Sequence, residues 1–298
     1  MAMTILRLFE WLQKSKVMKM KHMMMVDLHS HTSASDGQYS PSQVVCMAKR
    51  AGITCLAVTD HDTISGLQEA RGAGKEYEIT VVRGIELGAK ENRHLHIVGL
   101  GFCENAIELQ MLCNKLRQSR DERKYRIVDF LREKGIEISL DEVTELAGGE
   151  VIARPHFAQV MLRHGYVSSI REAFDRYLDT DEYQRIERFK APAAECIEVI
   201  HQGGGKAILA HPYQLGMPDD ALEQQIAQLK DVGLDGIECY YPQHTPEMTR
   251  RYLEFAQKYD LHVSGGSDFH GEAVHPDNLL KPIPLDVSWL LESAAEML

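Results

Sequence analysis

The chain has 298 residues, a formal net charge of −11, and 44% hydrophobic and 26% charged residues. This is the mixture of a soluble globular enzyme, and the length calls for two domains or one large α/β barrel carrying an insertion. The acidic balance argues against binding of long nucleic acid but leaves small anionic substrates open.

Residues 1–25 carry an apolar patch, Ile5, Leu6, Leu8, Phe9, Trp11 and Leu12, broken by Arg7, Glu10 and Lys14. The patch is too short and too charged to span a membrane and has no small-residue cleavage site, so an amphipathic helical extension is expected, or a start at Met23, Met24 or Met25. Strand-like runs follow at 24–31, 53–59, 79–86, 94–102, 206–210, 234–240 and 261–265. Helical stretches at 41–50, 64–77, 191–202, 219–231 and 246–259 alternate with them, which predicts a parallel sheet closed or nearly closed into a barrel. Between 104 and 190 the strand signal disappears, and charged helical sequence such as 107–134 reads as an insertion forming part of the substrate pocket. The barrel is then expected from 26–103 and 191–298. Gly203, Gly204 and Gly205 sit between a helix and a strand, so they read as a helix stop rather than a phosphate loop. Cys46, Cys55, Cys103, Cys113, Cys196 and Cys239 stand singly without CxxC spacing, as reduced core residues of a cytoplasmic protein do.

Metal-capable side chains gather near the ends of these strands. Strand alternation sets Asp27, His29 and His31 on one face, and Asp268 and His270 repeat the two-residue spacing after Gly265 and Gly266, which let the backbone turn closely. Asp36, His61, Glu86, His96 and His211 also sit near apolar runs and, with His29, His31, Asp268 and His270, make nine candidates where a β/α barrel builds its site. Imidazole and carboxylate donors without thiolates suit Zn, Mn or Fe. His94, two residues before His96, competes for the same role. Arg154 and His156 flank Pro155 at a predicted helix start and form a candidate anion cradle. Asp60 and Asp62 flank His61 as candidate orienters of its ring. His164, His201, His244, His262 and His275 read as surface or packing residues.

The segments Asp27-Leu28-His29-Ser30-His31, Thr59-Asp60-His61-Asp62, Gly84-Ile85-Glu86, His96-Ile97-Val98-Gly99-Leu100, Ala210-His211-Pro212 and Ser267-Asp268-Phe269-His270 resemble, in order, those of the PHP (polymerase and histidinol phosphatase) family. The inserted segments 153–158 and 173–178 are most similar to its stand-alone phosphoesterases acting on nucleotides. The resemblance implies a distorted (β/α)7 barrel with a trinuclear metal centre, and two to three bound divalent cations are expected. It implies a first metal on His29, His31, Glu86 and Asp268, a second on Asp36, His61 and His270, and a third on Glu86, His96 and His211. The substrate so implied is a nucleoside 3',5'-bisphosphate or a cyclic ribose phosphate, attacked by a hydroxide bridging the cations. The third metal, Arg154 and His156 would neutralise charge on the phosphoryl oxygens. A metal-dependent amidohydrolase and a short-oligonucleotide exonuclease are the competing enzymatic readings, and a non-catalytic module would be expected to have lost ligands.

Overall fold

The computed structural model describes residues 23–103, 105–147, 152, 154–186 and 189–295; the expected N-terminal helix falls almost wholly outside them. Seven strands run in sequence order around the barrel: β1 (Met23–Asp27), β2 (Cys55–Val58), β3 (Thr80–Gly88), β4 (His96–Leu100), β5 (Lys206–Leu209), β6 (Gly236–Tyr240) and β7 (His262–Gly265). Residues after β1 close the ring against the end of β7 and the residues that follow it, with Leu28 N–H donating to Gly265 O (3.0 Å) and His31 N–H to Phe269 O (2.8 Å). The result is a nearly closed α/β barrel.

Two features differ from the sequence reading. The sheet is mixed, because β4 runs antiparallel to both β3 and β5. No helix separates β3 from β4, and a loop that short joins only antiparallel neighbours. An eighth strand, β8 (Ile283–Asp286), pairs antiparallel with β1 from Met23 to Val26. Met23, Met24 and Met25 therefore belong to the sheet, and not to an extension. Pro284 hid β8, since proline is tolerated in strands only at edges and bulges.

The helices follow their local signals. In α1 (Pro41–Arg50) the Ser40 side chain accepts from Gln43 N while the Gln43 side chain returns to Ser40 N, a reciprocal cap with proline at the first turn. After α2 (Leu67–Tyr77) come α3 (Ile107–Glu133), α4 (Leu140–Ala147), α5 (Arg154–Arg163), the short α6 (Ile170–Ala173) with a π-helical turn over Phe174–Leu178, and α7 (Asp181–Gln184). The chain returns to the barrel through α8 (Ala193–Gln202), α9 (Asp219–Asp231), α10 (Pro246–Lys258) and the terminal α11 (Ser288–Ala295). Gly203 caps α8 and Gly204 takes φ +77° before β5 starts, the expected stop.

Three apolar clusters hold these parts. Leu56, Ile85, Ile97, Ile197, Ile237 and Phe255 pack the sheet against the outer helices. Val26, Leu28, Val98, Ile208 and Leu290 belong to a second cluster that joins the sheet to β8 and α11. Ile127, Leu131, Phe157, Met161 and Tyr183 form a third, drawn entirely from residues 127–183. Among the described residues no helix is long and apolar enough to cross a membrane.

Candidate metal centre

Glu86 is the hub. It is fully buried in β3, and its two oxygens face five imidazoles. Oε2 lies 3.4 Å from His29 Nε2, 3.2 Å from His31 Nε2 and 3.0 Å from His61 Nδ1, while Oε1 lies 2.7 Å from His96 Nδ1 and 3.0 Å from His211 Nε2. Asp268 Oδ1 completes one group, 3.4 Å from His29 Nε2 and 3.1 Å from His31 Nε2. Asp36 completes another, with Oδ1 3.4 Å from His270 Nε2 and Oδ2 3.9 Å from His61 Nε2. All nine residues singled out in the sequence therefore meet at one end of the barrel. They form donor groups of His29, His31, Glu86 and Asp268; of His31, Asp36, His61 and His270; and of His61, Glu86 and His96. His31 joins two groups, and His211 reaches Glu86 outside the third.

His96 enters at the start of its strand, not the end, because reversed β4 brings its first residue to the rim where the parallel strands finish. His94 stays outside the cluster, its Nε2 accepting from Arg93 Nε at 2.8 Å. Three residues at this rim hold left-handed backbone: Asp62 (φ 56°), His211 (φ 26°) and Asp268 (φ 52°). Such conformations cost free energy and persist where the surrounding structure fixes them, commonly at functional sites.

The electrostatics suit cations. Burial alone would raise the Glu86 carboxyl, but His61, His96 and His29 hold it well below the usual carboxylate range; Asp36 and Asp268 are held low by imidazoles in the same way. His29 Nε2, both ring nitrogens of His31, and Glu86 Oε2 are buried yet meet no hydrogen-bond geometry. Buried polar atoms without partners are costly, and a cation among them would satisfy several at once. The mixed His and carboxylate set fits a divalent ion that takes nitrogen and oxygen ligands.

Several supporting residues gave no clear signal in the sequence. Glu238 in β6 is buried, with Oε1 3.3 Å from His29 Nδ1 and Oε2 accepting His211 N–H at 2.6 Å. A carboxylate between the fully buried Ile237 and Cys239 was the available clue. With Nδ1–H directed at Glu238, His29 presents a lone pair on Nε2 to the centre. Glu238→Gln is expected to weaken metal retention about 10–100-fold; manganese titration into the metal-free variant measures it, and unchanged affinity would remove Glu238 from this role. Tyr241 donates to Asp268 Oδ2 at 2.8 Å and accepts from Gln214 at 3.1 Å. Burial and the Asp268 charge raise the Tyr241 phenol, keeping it a donor.

Asp60 and Asp62 do something other than orient a ring. Asp60 accepts Thr32 N–H (2.7 Å), Thr32 Oγ1 (2.8 Å) and Ser35 Oγ (2.6 Å), which ties down the loop leading to Asp36. Asp62 forms a buried ion pair with Arg120 of α3, and its N–H donates to Glu86 O at 3.0 Å. His275, read as a surface or packing residue, lines the cleft with its ring 4.9 Å from that of His270. His164, His201, His244 and His262 are held elsewhere by Glu142, Asp235, Cys239 O and the Trp289 ring. The cleft itself, about 260 Å³, is lined by Glu86, His96 and Asp268 of the centre and by Tyr213, Gln214 and Gln243. Arg154 pairs with Asp179 at 3.3 Å rather than lining the cleft, and burial holds half-buried His156 below the usual imidazole range against the opposing Asp36 charge.

Residues 27–188 match the PHP domain, more than half of the chain. The chain belongs to the PHP family. A 5'-3' exoribonuclease of Haemophilus influenzae is 37% identical over 245 residues, covering 82% of this chain and 89% of the relative. A 3',5'-nucleoside bisphosphate phosphatase of Chromobacterium violaceum is 31% identical over 82% of this chain and 87% of its own length. Among solved structures, a protein of Bifidobacterium adolescentis described as a metal-dependent phosphoesterase superposes with TM-score 0.78 at 27% identity, covering 92% of this chain and 96% of that one. This PHP chain is accordingly a hydrolase of phosphoric esters, with a His/Asp/Glu cluster compatible with metal ions.

Proposed function

We propose that this PHP protein breaks the phosphate ester at the 3'-oxygen of a small nucleotide that also carries a 5'-phosphate, with a nucleoside 3',5'-bisphosphate as the leading substrate. The observation that carries the reading is Glu86, one buried carboxylate shared by five imidazoles. The names of the two relatives support it chemically. Removing a 3'-phosphate and removing the first nucleotide from a 5' end can be one act, rupture of the bond between O3' and phosphorus. A cleft of about 260 Å³ suits a mononucleotide or a chain end better than the middle of a long strand.

Two to three divalent cations, manganese, zinc or iron, would be held by His29, His31, Glu86 and Asp268, by Asp36, His61 and His270, and by Glu86, His96 and His211. When bound, they supply charge to polarise the phosphoryl oxygens and make water a nucleophile at neutral pH. Glu238 and Tyr241 hold His29 and Asp268 in the orientation that this binding needs. Asp60 fixes the loop that presents Asp36. Arg154 and His156, on the insertion, would contribute donors to a substrate phosphate, for which Arg154 would have to exchange its pairing with Asp179 for the phosphate. Residues 104–190 then serve as the specificity wall over the barrel. The six unpaired cysteines support a reducing, cytoplasmic setting.

The test is phosphate release by the manganese-loaded protein from adenosine 3',5'-bisphosphate, AMP and a cyclic ribose phosphate, side by side. Release from the bisphosphate with AMP left intact is the expected result. No release from any of the three, in a sample shown to carry its metals, overturns the reading.

A further inference from the structure

Among the described residues, six line the cleft besides the metal donors: Tyr213, Gln214, Tyr241, Gln243, His275 and Asn278. No lysine, arginine or carboxylate is among these six, so this part of the cleft offers amide and phenol dipoles and aromatic rings where the metal centre offers charge. They come from the segments that follow β5, β6 and β7, at the rim where the metal donors stand. A chain of hydrogen bonds fixes how the amides face. Asn278 is buried, and its Nδ2 donates to the Asp268 main-chain O at 3.3 Å and to Tyr241 Oη at 3.4 Å. A main-chain carbonyl can only accept, so the amino group of Asn278 must be the one on that side, and Oδ1 is left as an acceptor. Gln243 meets that Oδ1 with its Nε2, and so directs its second N–H and its Oε1 elsewhere. Gln214 Nε2 is committed to Tyr241 Oη at 3.1 Å. Tyr213 is half-buried, its ring packed 5.5 Å from the ring of Tyr241 and 5.5 Å from that of His244.

We propose that Gln243 and Tyr213 form a nucleobase subsite, in which the Tyr213 ring stacks on the base and the Gln243 amide pairs with an edge of it. The proposal rests on the phosphoesterase reading above and deepens it, by requiring a nucleoside on the phosphate rather than a bare sugar. Its chemistry is complementary. An amide with one N–H and one carbonyl oxygen to give matches a base edge that carries an acceptor beside a donor, as glutamine pairs with N6 and N7 of adenine. An aromatic ring holds bases of every kind, since each has a π face. A sugar phosphate without a base has nothing flat to stack and only hydroxyls for the amide. Tyr213 lies two residues from the metal donor His211, and Gln243 is keyed through Asn278 to the main chain of Asp268. The segments that carry metal donors therefore also carry the groups that would grip the base.

The experiment compares the manganese-loaded wild type with Gln243→Leu, Tyr213→Leu and Tyr213→Phe. The substrates are 2'-deoxyadenosine 3',5'-bisphosphate and 1',2'-dideoxyribose 3',5'-bisphosphate, which differ only in the base. The ratio of kcat/KM for the first to that for the second should fall roughly tenfold or more in Gln243→Leu and in Tyr213→Leu, the effect of losing a contact to the base. Tyr213→Phe, which keeps the ring, should hold the wild-type ratio. A ratio unchanged in either leucine variant overturns the subsite. Equilibrium binding of 2'-deoxyadenosine 5'-monophosphate and of the same monophosphate without its base, to the same manganese-loaded proteins, gives a readout independent of turnover. If the wild type hydrolyses neither bisphosphate, the phosphoesterase reading falls and binding decides the subsite alone. Binding of the base-bearing monophosphate that is weakened in both leucine variants, with the base-free one bound alike by all, upholds the subsite; equal binding of the base-bearing one by wild type and variants overturns it.

Discussion

Glu86→Gln is expected to lower kcat/KM by about a thousandfold or more and to reduce the metal content of the purified protein. Glutamine keeps the volume but not the charge, and both oxygens of Glu86 face imidazoles, so the substitution acts on two donor groups at once. Loss of a single preorganised electrostatic contact in a catalytic site already costs roughly 100- to 1,000-fold. Steady-state kinetics with metal analysis by mass spectrometry on the same preparation checks this. Full metal content with activity within tenfold of wild type would show that Glu86 is not the hub.

Gly266→Ala is the second. A Cβ at Gly266 would stand 2.3 Å from His29 Cβ and 2.6 Å from His29 N, closer than nonbonded atoms approach, and the obstacle is the main chain rather than a flexible tip. The strand exits after β1 and β7 would have to part where they close the barrel, which also carries His29. Overpacking of this kind costs about 3 kcal/mol. The urea midpoint should fall at unchanged slope, with loss of metal retention. Gly72→Ala in α2 is the control, since a Cβ there meets nothing within 4 Å. In a helix interior that change favours the fold by up to about 1 kcal/mol. Equal midpoints for the two variants would refute the close-contact argument.

The sequence is informative where the chemistry repeats. The His29 and His31 pair, its echo in Asp268 and His270, and single donors beside apolar strands were readable because a metal-capable residue at a strand end has few other reasons to be there. Helix α1 was readable from Ser40, Pro41 and Gln43, whose roles are local. What escaped depends on partners far away in the chain. The reversal of β4 needs the β3 and β5 registers, which no local pattern encodes. Tyr241 and His275 matter only because the barrel brings them to Asp268 and His270, and Arg120 is one cation among many on a charged helix. Asp60 and Asp62 were legible as important neighbours of His61, but their targets, Thr32, Ser35 and Arg120, lie on other segments.

The Arg120–Asp62 pair bears on how far the helical insertion can be treated as a portable cassette. Asp62 lies beside His61 and donates its N–H to Glu86 O, and its carboxylate is buried against a cation supplied by α3. Stranding a buried charge by removing its partner costs about 3–5 kcal/mol. A graft that exchanged residues 104–190 for another insertion, without a cation at this position, would take the Arg120 charge away from the buried Asp62 carboxylate beside His61. Substrate preference and integrity of the metal loop are therefore inherited together, and a chimera would have to preserve this one contact before any new specificity could be expressed.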